Sequence, residues 1–80
     1  MNLRQAVAIR IREILKARGM TQYRLEQNAA ISHSTMKSLL NGKQKGFNIL
    51  TVVLIIRAFG MTIAEFFDHP VFESEDLIAE

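Results

Sequence analysis

The residues best equipped for chemistry sit together at Ser32-His33-Ser34, followed by Lys37 and Ser38. A hydroxyl beside an imidazole suggests a nucleophile and its base. Neighbours one apart on a helix do not face each other, however, and neither an acid nor an oxyanion site accompanies them. The chain has no Cys and only two His, which excludes thiol catalysis and disulfides and leaves too few soft ligands for a structural metal. Hydrogen bonding is what remains. His33 and Lys37 are four apart, as are Ser34 and Ser38, so on a helix the four share one small polar face. The major groove of duplex DNA offers N7, O6, O4 and amino groups to such a face, and His33, Ser34, Lys37 and Ser38 are the candidate base contacts. Ser32 itself is better explained as the helix cap.

Phosphates flank that groove, and groups able to hold them flank the polar face. Thr21 and Gln22 stand at a helix N-terminus, where amide dipoles favour anions, while Asn41, Lys43 and Lys45 lie in and beside a loop with two cations. The charge distribution agrees. Net charge is only +2, yet residues 1–57 hold all ten basic residues against Glu13 and Glu26, whereas residues 58–80 hold six acidic residues and no Lys or Arg. A basic body that can neutralise phosphates is the electrostatic footprint of nucleic-acid binding.

Five helices are expected to position these residues, with no sheet. Leu3, Val7, Ile11, Ile14 and Leu15 make one face of a helix from Leu3 to Arg18, capped by Asn2 and stopped by Gly19. Thr21 caps a second helix reaching Ala29 or Ala30, and Ser32 opens a third that ends at Asn41-Gly42, with Met36, Leu39 and Leu40 inward. A fourth runs from about Asn48 to Gly60. Its Ile49–Ile56 stretch has β propensity, but nothing else in the chain could pair with it as a sheet. Thr62 caps a short fifth helix, Ile63–Phe67, broken by His69-Pro70. The expected core is Val7, Ile11, Ile14, Leu25, Ile31, Met36, Leu39, Val52, Ile56, Phe59, Ile63 and Phe66. No apolar run is long enough to span a bilayer.

With these blocks in place, TQYRLEQNAAISHSTMKSLLNGK resembles the helix-turn-helix core of the Cro/CI-type (XRE-like) regulators of bacteria and their phages. VAIRIREILKARGMTQ and FGMTIAEFF extend the resemblance over about residues 7–67. It implies an all-α, five-helix lambda-repressor-like DNA-binding domain, with helix 3 in the major groove and a two-fold dimer on an inverted repeat. Three departures stand out. Ala30 occupies a turn position where many relatives have Gly, with a strain of roughly 1 kcal/mol. Glu26 stands where many have a small Ala, at the approach of helices 2 and 3. Leu15 and Leu40 replace an Arg and a Glu, so an apolar contact is expected in place of an ion pair.

The function these readings imply is sequence-specific transcriptional regulation, most simply repression, by a cytoplasmic homodimer on double-stranded DNA. Residues 1–70 form the DNA-binding domain and 71–80 an acidic tail. No cofactor, metal, membrane or small-molecule ligand is expected, since 80 residues leave no length for a sensing domain. A protein-binding module or antitoxin on the same fold is the alternative.

Overall fold

Every helix begins where a short polar side chain answers an amide that the first turn leaves without a partner. The computed structural model describes residues 1–41, 48–73 and 77. In α1 (Leu3–Arg18) Asn2 Oδ1 accepts from the Gln5 amide at 2.8 Å, and Gln5 Oε1 accepts from the Asn2 amide at 2.9 Å. Thr21 opens α2 (Gln22–Ala29) by accepting from the Arg24 amide at 3.1 Å. Ser32 opens α3 (His33–Asn41) by accepting from Thr35, also at 3.1 Å, and its hydroxyl donates to the Thr35 hydroxyl. Asn48 caps α4 (Ile49–Ala58), and Thr62 with Glu65 forms a reciprocal cap on α5 (Ile63–Phe67). A 3-10 turn, Pro70–Phe72, follows, its Val71 amide donating to His69 Nδ1. No strand occurs among the described residues, and Ile49–Ile56 is helical.

These elements close on one core. α1 packs against α3 and the 3-10 turn, α2 against α3 and α4, and α4 against α5. Val7, Ile11 and Ile14 from α1 meet Leu25, Met36, Leu39, Val52, Ile56, Phe59 and Phe66 in a single buried cluster. Leu15 and Leu40 are buried in the same cluster, as an apolar replacement for an ion pair requires. Two expected core residues differ. Ile31 is only partly buried, and Ile63 is 55% exposed, because α5 is five residues long and turns Phe66, not its first residue, into the core. Ile55, which the periodicity did not single out, is fully buried.

Two arginines of α1 fasten the distant helix ends. Arg10 donates from Nε to the Phe66 carbonyl at 2.7 Å and from a terminal nitrogen to the Glu65 carbonyl at 3.1 Å. Glu13 holds Arg10 at 2.9 Å and His69 Nε2 at 2.7 Å. Arg18 donates to the Phe59 carbonyl at the end of α4 and lies 5.4 Å from the centre of that ring. Hydrogen bonds from a cation to main-chain carbonyls are each worth about 1.5–3 kcal/mol. Phe67 and Phe72 stack edge to face at 4.8 Å and lie partly buried on the core.

The turn between α2 and α3 sets the angle of the polar face. Ala30 adopts φ 55° and ψ 42°, the left-handed conformation that Gly19 adopts after α1. Its amide donates to the Gln27 carbonyl, and the Ile31 amide to that of Glu26 at 3.1 Å. The turn thus keeps the geometry that suits glycine while carrying a Cβ. Ala30→Gly is expected to stabilise the protein by up to about 0.5 kcal/mol, the relief of left-handed strain less the greater freedom of the unfolded chain. Urea denaturation checks this; a loss of stability would show that the turn is not strained.

Candidate nucleic-acid interface

α3 buries Met36, Leu39 and Leu40 and turns its other side outward. His33, Ser34, Lys37 and Asn41 are exposed there, and Ser38 is partly exposed at the edge of the same face. Thr21 is exposed at the start of α2, and Gln22 beside it is partly buried. The structure therefore presents the four candidate base contacts on one helix, with Thr21 and Gln22 at the N-terminus of the other. Lys43 and Lys45 lie outside the described residues.

Glu26 joins the two helices. Its side chain is only 7% exposed, and it is the one charged residue in the buried class among the described residues. Gln22 Nε2 donates to Glu26 Oε2 at 3.1 Å, and His33 Nδ1 lies 2.9 Å from the same oxygen. The hydrogen bond from His33 holds the carboxyl below the ordinary carboxylate range, helped by Gln22 and, when the ring is protonated, by its charge, and opposed by burial. An ionised carboxylate only accepts, so Nδ1 carries the hydrogen. A candidate base contact and a candidate phosphate contact are thus oriented by one oxygen that neither periodicity nor composition had marked. The signal came from the resemblance, since Glu26 stands where many relatives have a small Ala, at the approach of α2 and α3.

The sequence suggested no acid beside the Ser32-His33-Ser34 cluster, and the structure corrects this by placing the Glu26 carboxylate on His33 Nδ1. Ser32 bonds Thr35 instead, and among the described residues no hydroxyl hydrogen-bonds the ring, so no nucleophile is joined to that pair. Among the described residues no group of three or more His, Asp or Glu could hold a metal ion, and no helix is long and apolar enough to cross a membrane.

Arg18 and Arg24 were not singled out by the sequence. They line a shallow depression with Gly19, Met20 and Thr21, three residues either side of the α2 cap. Arg24, and the part of the Arg18 guanidinium that does not hold the Phe59 carbonyl, lie beside the N-terminus of α2 and suit an anion. Basic residues flanking a capping Thr were the signal for it.

Since the folded pKa of Glu26 is depressed, the stability it contributes is present above the unfolded carboxylate value and is lost as pH falls through the folded one. Glu26→Gln is therefore expected to flatten part of the acid limb of a stability-against-pH curve measured by urea denaturation from about pH 6 down to about pH 2, a window that spans the ordinary carboxylate range and extends below it. An unchanged limb would mean that the pair does not couple to folding.

A family model for the Cro/C1-type HTH DNA-binding domain matches residues 10–71, which include all of α2, α3, α4 and α5. No curated protein and no solved structure gives a significant match. The match covers most of the chain, and five helices in the order required, without a strand among the described residues, are what such a domain needs. The chain belongs to the Cro/C1-type helix-turn-helix family and is a DNA-binding regulator.

Proposed function

We propose that the protein is a sequence-specific transcriptional repressor that lays α3 in the major groove. The carrying observation is the polar side of α3, where His33, Ser34 and Lys37 are exposed opposite buried Met36, Leu39 and Leu40. Such a face admits base edges without steric hindrance, and the helix N-terminus reaches them first. His33, Ser34, Lys37 and Ser38 are assigned to bases. Thr21, Gln22, Asn41, Lys43 and Lys45 are assigned to phosphates, and the Arg18 and Arg24 depression extends that set. Residues 1–70 are the DNA-binding unit and the acidic residues after it stay off the duplex. Repression needs nothing beyond occupancy of a promoter, so no cofactor or effector enters, and the site of action is the cytoplasm.

A single module this small makes few base contacts, and two-fold pairing doubles them. The protein is accordingly assigned as a homodimer whose contact includes residues after Thr62, where Ile63 is exposed. Sedimentation should give a dimer on an operator duplex; a monomer both free and bound would refute the pairing.

The two classes of contact should separate in binding assays on the protein's own upstream DNA. Lys43→Ala or Lys45→Ala should weaken binding to all sequences alike and reduce the slope of log affinity against log salt by roughly 1 each. Ser34→Ala, Lys37→Ala or Ser38→Ala should cost about 1–3 kcal/mol on the cognate site and relax preference at particular base pairs. Helix 3 changes that leave affinity and preference intact would remove α3 as the reader. If neither set mattered, a protein-binding or antitoxin role would replace the repressor reading.

A further inference from the structure

The pairing of Glu26 with His33 does more than hold a side chain. His33 is the first residue of α3, and its side chain is 70% exposed although Nδ1 is engaged, so the rest of the ring is open to solvent. Glu26 is 7% exposed and its Oε2 already receives the Gln22 amide, which leaves the carboxylate as an acceptor set between two donors. Among the described residues no other carboxylate lies within ion-pair distance of the His33 ring, and no cation hydrogen-bonds it. A neutral imidazole has one N–H and one lone pair. With the hydrogen committed to Nδ1, Nε2 carries the lone pair. A solvated imidazole favours the opposite arrangement, with the hydrogen on Nε2.

Resting on the assignment of α3 as the reader, we propose that Glu26 is a specificity-setting positioning residue, fixing His33 in the Nδ1–H form so that the neutral ring offers the groove an acceptor. An acceptor selects an exocyclic amino group, adenine N6 or cytosine N4, and is repelled by guanine N7 and O6. It is equally unsuited to a phosphate oxygen, which has no hydrogen to give. His33 is therefore a base contact, and the identity of that base is written by a residue on the other helix. Without the carboxylate the ring turns its Nε2–H outward and favours guanine or the thymine O4.

Two measurements on the full chain test this. Long-range proton–nitrogen correlation spectra of the ring, recorded above its titration, should show Nδ1–H in the wild type and a shift toward Nε2–H in Glu26→Ala. Selection from a randomised duplex library at the same pH should give one position with about fivefold or greater preference for adenine or cytosine. His33→Ala should flatten that position, and Glu26→Ala should turn it toward guanine or thymine. A wild-type ring protonated on Nε2, or a preference indifferent to both substitutions while selection elsewhere persists, would overturn the proposal alone. Wild-type protein that selects no sequence would overturn the reader function as well, whatever the spectra show. Should Glu26→Ala fail to fold, Glu26→Gln keeps the size but can donate or accept, and it should relax both the tautomer and the preference; unaltered spectra and preference in that variant would also overturn the proposal.

Discussion

Helices of eight and nine residues do not persist in water on their own, because nucleating a turn costs more than so few hydrogen bonds return. α2 and α3 are of that length, so everything the interface presents depends on the apolar surface they share with α1 and α4. Leu25 and Ala29 on one, and Met36, Leu39 and Leu40 on the other, are buried in the same cluster as the α1 stripe. The exposed face of α3 is polar because nothing inside requires it. Burial fixes the rotation of the helix, and rotation fixes which side chains are outside.

The left-handed residue at Ala30 turns that packing into an angle. It bends the chain between α2 and α3 and brings Glu26 and His33, seven positions apart, to 2.9 Å. A carboxylate inside a small domain is costly unless it is paired and hydrogen-bonded. Glu26 meets both conditions using only groups that lie at or beside the interface, so the stability of the α2–α3 joint and the orientation of its polar residues are one arrangement.

Much of the fold was legible because its signals are local. Asn2, Thr21, Ser32, Asn48 and Thr62 reach amides two or three residues away, and their side chains declare it. The left-handed state of Ala30 was legible only through resemblance, since composition alone would have put a glycine there. Ile63 was misplaced because a three-residue step to Phe66 suggests a shared face, whereas so short a helix seats one residue and leaves the other in solvent. The candidate base contacts follow from spacing on α3. Their coupling to Glu26 does not, since seven residues across a turn match no helical period. Arg10 and Glu13 reach partners more than fifty positions away, and nothing along the chain announces that.

That reach bears on how the molecule breathes. α5 has five residues and the turn after it three, so neither has cooperativity of its own; Arg10 on the α5 carbonyls and Glu13 on His69 hold them to α1, and the Phe66–Phe67–Phe72 stack holds them to each other. Local opening follows contiguous cooperative units of differing free energy. α5 and the 3-10 turn are the shortest elements of the fold, and they would detach together once the α1 grip slips. The amides of α5 are therefore expected to exchange with solvent before those of α1, so that α5 and the turn after it let go and return while α2 and α3 stay folded.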